Sequence, residues 1–189
     1  MKHPILFIHG FGGSEYEYKP IIKFLKNHGN PNCYRFIYKE KFGQSSIKLI
    51  AEHLHEYIVK NVSEAEIDVI ALSQGGIIAR YYIAHYSDKK INKCITICTP
   101  HSGSLVAYLG FLPGMKELRP NSSLLKDLDI DRAEYYAVYN PLDLFVVPGW
   151  SAKLEFAKEN KKVYSLLHPL TFWNKNTLNF ILSILEKDK

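Results

Sequence analysis

Short, mostly apolar runs recur along this chain, alternating with segments of helical spacing almost from end to end. That alternation constrains the fold more than any other feature. Ile5–Ile8 is apolar at every position and stops at His9-Gly10-Phe11-Gly12-Gly13. A run that is apolar throughout, rather than at every second residue, predicts a strand covered on both faces. Comparable strands are expected over residues 33–38, 67–72, 91–98, 135–139 and 163–167. Between them, residues 14–28 predict a helix with Ile21, Ile22, Phe24 and Leu25 facing inward. Ile47, Ile50, Ala51, Leu54 and Ile58 recur at helical spacing after Ser45-Ser46, a pair suited to capping. Residues 75–86 are apolar nearly all round, which predicts an inner helix, and Leu178, Ile181, Leu182 and Leu185 share one face of a last helix. The stretch from His101 to Asp131 is interrupted by Gly103, Gly110, Pro113, Gly114 and Pro120, leaving room for a short helix near 122–128. Repeated β-α-β units with short connections imply a mostly parallel six-stranded sheet with helices on both sides, a three-layer α/β sandwich. With no repeats or linkers, residues 1–189 are expected to form one domain, with 101–119 as a small cap or groove-lining segment.

Such sheets place ligands at the carboxyl ends of their strands, so the residues just after each strand carry the chemistry. The strongest signal is Ile70-Ala71-Leu72-Ser73-Gln74-Gly75-Gly76, a strand running into Ser73 with a helix leaving at once. A turn that sharp tolerates only small residues two before and two after the serine, here Ala71 and Gly75, and lifts the hydroxyl above the sheet edge. The bland alternative is a serine that caps a helix. A serine nucleophile needs a base and an oriented acid, in the chain order Ser, acid, His. Three histidines follow Ser73. His85 falls at the outer end of a helix, His101 precedes the best acids, and His168 follows the last strand and precedes the last helix. His168 is therefore the expected base. Asp143 is the expected acid, because it sits among apolar neighbours and a buried carboxylate needs a partner. Asp127, Asp129 and Asp131 lie in a polar run and are expected to be solvated. For the oxyanion, the backbone N–H of Gln74 and that of Phe11 are the expected donors, with Gly12 as the rival to Phe11. The glycine-rich loop is not a phosphate loop, since no Gly-Lys-Ser/Thr follows, and it lacks dinucleotide-binding spacing.

These residues resemble the α/β-hydrolase fold and, within it, the small bacterial lipases and esterases. The resemblance covers most of the chain. Pro4 to Gly13 is similar to the family's first core strand and oxyanion loop. Ala71-Leu72-Ser73-Gln74-Gly75-Gly76 resembles its nucleophile elbow, and Thr99-Pro100-His101-Ser102-Gly103-Ser104 the segment after the next strand. Leu118-Arg119-Pro120-Asn121-Ser122 resembles a loop found in lipases and lipase-like deacylases. Asp143-Leu144-Phe145-Val146-Val147 looks like the family acid with the apolar run behind it, and His168 matches its base. Leu72 departs from the histidine common just before the nucleophile, and a chain at the short end of the fold is expected to lack the first two antiparallel strands. The resemblance implies a serine carboxylic-ester hydrolase working through Ser73, Asp143 and His168, without metal or organic cofactor. The rivals are a thioesterase or amidase with the same triad, or a non-catalytic protein that holds a lipid or signal molecule. Phe11, Tyr16, Leu105, Leu109, Phe111, Leu142 and Phe145 are the expected lining of an acyl groove, over a partly exposed serine.

Composition narrows the partners. The net charge is +5, largely from dispersed lysine, with no dense Lys/Arg block and no zinc or RNA-binding spacing, so nucleic acid is not expected. The expected partner is a small acyl ester or lipid, with transient contact to a lipid interface and no obligate protein partner. No stretch reaches the ~20 apolar residues of a membrane span. The first apolar run is too short for a signal-peptide core, which favours the cytoplasm unless a leader precedes this numbering. The spacing of Cys33, Cys94 and Cys98 matches no metal box, and three buried thiols are expected.

Overall fold

The structure, a computed structural model, describes residues 3–29, 32–39, 43–86, 90–128 and 132–187. Six strands form one sheet: β1 (Ile5–Ile8), β2 (Cys33–Phe36), β3 (Glu66–Leu72), β4 (Lys90–Ile97), β5 (Glu134–Tyr139) and β6 (Glu159–Lys162). Their spatial order is β2-β1-β3-β4-β5-β6, and every neighbouring pair is parallel. β1 lies one strand in from an edge; β2 takes that edge, and the chain then crosses back and proceeds to the other.

Seven helices accompany the sheet among the described residues: α1 (Lys19–Asn27), α2 (Ile47–Asn61), α3 (Gln74–His85), α4 (Pro113–Glu117), α5 (Ser123–Lys126), α6 (His168–Trp173) and α7 (Lys175–Leu185). Successive strand residues point to opposite faces, and the core divides accordingly. Leu6 and Ile8 of β1, with Val69 and Ala71 of β3, pack with Ile50, Leu54 and Ile58 of α2 and Ile77 and Ile78 of α3. Ile5, Phe7, Ile70 and Leu72 face the other way, onto Ile21 and Leu25 of α1 and Ile181 and Ile184 of α7. Each of these Leu, Ile, Val and Phe side chains, once buried, contributes ~1.5–3 kcal/mol relative to exposure. None of the helices among the described residues is long and apolar enough to cross a membrane.

Local chemistry sets the helix starts. Ser46 caps α2 by accepting from Leu49 N at 3.2 Å. The helix expected over residues 14–28 is instead a 3-10 turn at Glu15–Glu17, capped by Ser14, followed by α1. Pro20 sits in the first turn of α1, where its missing N–H costs nothing. Lys93 of β4 is buried, and its Nζ donates to Ile184 O at 2.9 Å, a cation at the carboxyl end of α7.

Two expectations need correction. The sixth strand is β6, Glu159–Lys162, and not residues 163–167. It is an edge strand paired only with β5. An edge strand needs no apolar run, and charged side chains there discourage pairing with other chains. Of the three cysteines, all free, Cys94 and Cys98 are buried but Cys33 is only half-buried.

Candidate active site

Ser73 stands between β3 and α3 with φ 51° and ψ −125°. A non-glycine residue at positive φ is strained, and such strain persists only where the surroundings impose it. Here Ser73 N donates to Ile97 O at 2.8 Å, fixing the turn to β4. Its side chain makes no capping hydrogen bond, so it is not serving as a helix cap. The space around the turn is tight. A Cβ at Gly75 would lie 2.5 Å from His9 O and 2.7 Å from Ile8 O, and one at Gly10 would lie 2.9 Å from Ser73 Cβ. Only glycine lets the β1 loop and the elbow approach so closely.

That loop is held from below. His9 is buried, its ring stacked on Tyr38 with centroids 4.0 Å apart. Its Nδ1 donates to Gly10 O at 2.9 Å, and its Nε2 accepts from Tyr38 N at 3.2 Å. Gly13 N closes a turn onto Gly10 O at 3.1 Å, with Gly12 at φ 62°. Phe11 and Gln74 both border the same cavity as Ser73. The N–H of Gln74 opens α3, where a helix leaves its donors without intrahelical partners.

Asp143 and His168 meet behind the cavity. Leu142 N bonds Asn140 Oδ1 at 3.1 Å, and Asp143 N bonds Asn140 O at 3.1 Å, turning the chain after β5. Asp143 Oδ1 accepts from Phe145 N at 2.8 Å and Val146 N at 3.0 Å. His168 Nδ1 donates to Asp143 Oδ2 at 2.6 Å. The carboxylate is the acceptor, so Nδ1 carries a proton, and in the neutral ring Nε2 is the nitrogen with the lone pair. Burial alone would push the Asp143 carboxyl up. The hydrogen bond and charge of His168, with the two backbone donors, outweigh it and hold the group below its ordinary value. His168 begins α6 and is flanked by the rings of Phe145 and Phe172, at 5.4 and 5.1 Å between centroids. Asn140 Nδ2 ties the two loops together through Ser165 O at 2.8 Å.

A cavity of about 400 Å³ brings Ser73, Gln74, Phe11 and His168 together. Val106, Ala107, Met115, Leu118 and Phe145 give it an apolar wall. Ser73 is half-buried at its floor. Of the expected acyl-groove residues, Phe11 and Phe145 border this cavity. Tyr16, Leu105, Leu109, Phe111 and Leu142 do not border it and are exposed, with Leu109 at 83% and Phe111 at 80%. The segment was the expected one, but its inward side is different. A 3-10 turn at Leu105–Leu109 and the short α4 set which residues point in, and elements that short leave no readable period. Ser104 pins this segment to the acid loop, its Oγ donating to Phe145 O at 2.9 Å and accepting from Val147 N at 3.0 Å.

Two residues not singled out by sequence adjoin the site. The Cys98 Sγ, a His168 nitrogen and an Asp143 oxygen all lie within 4.8 Å of one another. Burial first, and then Asp143, push the Cys98 thiol well up, so it stays protonated. A metal here would need that thiolate and would have to break the His168–Asp143 hydrogen bond, so the cluster does not suit one. Glu17 borders the cavity, and its Oε2 accepts from Gly10 N at 3.1 Å. Burial raises its carboxyl above the ordinary value, against the opposing effects of the Gly10 bond and the His168 charge. A mid-loop acid among Glu15, Glu17 and Lys19 carries no sequence signal for such a place.

The other candidates fall elsewhere. His85 closes α3, exposed, with Nδ1 on Tyr81 O at 3.0 Å. Asp127 is exposed at the end of α5, and Asp129 and Asp131 lie outside the described residues. His101 is buried, its Nδ1 accepting from Arg80 Nη1 at 3.3 Å and its Nε2 donating to Thr96 Oγ1 at 2.9 Å. Burial, and then the Arg80 charge, hold His101 well below its ordinary value, so the folded protein keeps it neutral. The unfolded chain protonates histidine near ~6.5. The stability this ring contributes is therefore fully present above ~6.5 and declines as pH falls from there toward the folded-state value, by at most ~1.4 kcal/mol per pH unit. His9, also lowered by burial, acts in the same sense, while the raised Glu17, Asp68 and Glu117 act oppositely. Those groups are common to the wild type and His101→Asn. In urea unfolding between about pH 5 and 7, the variant is expected to be less stable throughout but to lose less stability per pH unit. Equal slopes would refute a neutral His101.

The comparisons with known proteins agree with this architecture. Residues 4–142 match the model of the palmitoyl protein thioesterase family, a span that includes the β1 loop and Ser73 and ends just before Asp143. The chain belongs to that family. It is an α/β-hydrolase, among lipases, esterases and thioesterases. No curated protein matches it in sequence. Among solved structures, the mature Bacillus licheniformis lipase BlEst2 superposes with a TM-score of 0.74 at 16% identity, over 97% of this chain and 92% of that one. Aspergillus fumigatus lipase B gives 0.82 at 14% identity over 97% of this chain, which spans only 52% of that lipase. A structure from a study of carboxylesterases of the thaumarchaeon Nitrososphaera gargenis gives 0.70 at 15% identity, over 100% of this chain and 92% of that one.

Proposed function

We propose that the chain is a serine carboxylic-ester hydrolase acting on apolar acyl esters. The observation that carries this is the strained Ser73 at the floor of an apolar cavity, bordered also by a His168 that Asp143 holds in one tautomer. In the reaction, His168 Nε2 takes the Ser73 proton as Oγ attacks the acyl carbonyl. Asp143 stabilises the imidazolium, and the N–H groups of Gln74 and Phe11 receive the oxyanion. His168 then protonates the departing alcohol. Water, activated by the same imidazole, releases the acid and restores Ser73.

A thioesterase is the second reading, favoured by the name of the matching family. The same apparatus serves both, since only the leaving group differs. Matched p-nitrophenyl esters and acyl thioesters of graded chain length test the choice. With oxyesters, kcat/KM is expected to rise by up to about fourfold per methylene, since burying each is worth ~0.8 kcal/mol, until the cavity is filled. Thioesters turned over more than tenfold faster than matched oxyesters would move the assignment to the second reading. Turnover of neither would leave a binding protein.

A further inference from the structure

Among the described residues, Glu17 is the only acidic side chain bordering the catalytic cavity, and no described Lys or Arg borders it. Its carboxylate forms no ion pair among the described residues. One oxygen, Oε2, is engaged by Gly10 N, while Oε1 accepts no hydrogen bond among the described residues. Gly10 is also the residue pressed against Ser73, so the carboxylate stands one residue away from the nucleophile. As an anchor for the loop, a neutral acceptor would serve equally. A carboxylate placed in an apolar wall is costly unless something compensates it.

We propose that Glu17 is a specificity-determining residue whose free oxygen accepts a hydrogen bond from a donor on the substrate, a hydroxyl or an ammonium, close to the scissile carbonyl. The same charge rejects substrates carrying an anion there. This rests on the serine-hydrolase reading and narrows its substrate class to acyl esters with a polar donor beside the reacting bond. Phe145, Val106 and Leu118 take the apolar remainder of the substrate.

The test uses four ethyl esters that differ only in the group on the acyl β-carbon: ethyl butyrate, ethyl 3-hydroxypropionate, ethyl 3-aminopropionate and monoethyl succinate. Each is followed by acid release at constant pH, and kcat/KM is taken relative to ethyl butyrate within each protein. In the wild type, the ammonium ester is expected to exceed the carboxylate ester by about a hundredfold or more, as attraction on one side and like-charge rejection on the other require. In Glu17→Gln, whose amide oxygen can still accept from Gly10 N, that ratio is expected to fall at least about tenfold. Preference for the hydroxyl ester as well identifies a neutral donor as sufficient; preference for the ammonium ester alone identifies a cation. A ratio near one in the wild type, or one unchanged in Glu17→Gln, overturns the proposal. Glu17→Ser, which keeps a short acceptor, replaces Glu17→Gln should the latter not fold. Absence of turnover of all four esters by the wild type overturns the hydrolase reading instead.

Discussion

Ser73→Ala is expected to abolish covalent labelling by an alkyl phosphonate ester and to lower ester turnover by about 10⁴-fold or more, leaving only oxyanion and binding catalysis. The fold should persist, because alanine is smaller and the Ser73 hydroxyl makes no hydrogen bond among the described residues that would be lost. The rival nucleophile is Cys98, which lies with Asp143 and His168. Three observations disfavour it. Cys98 is fully buried, it does not border the cavity, and its thiol is held protonated. A thiolate, and not a thiol, is the reactive form. Cys98→Ala should therefore retain phosphonate labelling. Labelling that survives in Ser73→Ala and disappears in Cys98→Ala would exchange their roles.

Much of this architecture is legible in the sequence because burial on both faces writes itself as mostly apolar runs. β1 and β5 are read that way, β3 across Asp68 and β4 across Asn92, Lys93 and Thr96, and the sheet they form is parallel because each return needs a helix. The elbow is legible for a steric reason, since only small residues fit around Ser73. What is not legible lacks either signature. β6 is a polar edge strand with one neighbour, so its residues record no core. The inward side of 101–119 is set by short turns and by tertiary ties such as Arg119 Nη2 to Gly110 O at 2.8 Å, which no local pattern encodes. Glu17 and Cys98 reach the site through long-range packing: Glu17 from the turn before α1, and Cys98 from the end of β4 at φ 50°. The ordering rule for Ser, acid and His selected Asp143 and His168 because it encodes topology rather than local preference. The structure then places the two side chains 2.6 Å apart from positions 25 residues apart in the chain.

That contact makes the second large effect a coupled one. Asp143→Asn and His168→Ala are each expected to lower kcat by about 10³–10⁴-fold or more with KM little changed, because in the proposed mechanism both act only as the proton moves in the transition state. In Asp143→Asn the carboxamide can present its N–H to His168 Nδ1. That favours the tautomer with the proton on Nε2, where it cannot accept from Ser73. Once His168 is gone, Asp143 has nothing to orient, so the double variant should be no more than a few-fold worse than the worse single one. Stability separates this from a packing defect. Asp143→Asn keeps the Phe145 and Val146 bonds to Oδ1 and should unfold within about 1–2 kcal/mol of the wild type in urea. Independent losses that multiply in the double variant would mean that the pair does not act as one proton-transfer unit, whatever their separation in the fold.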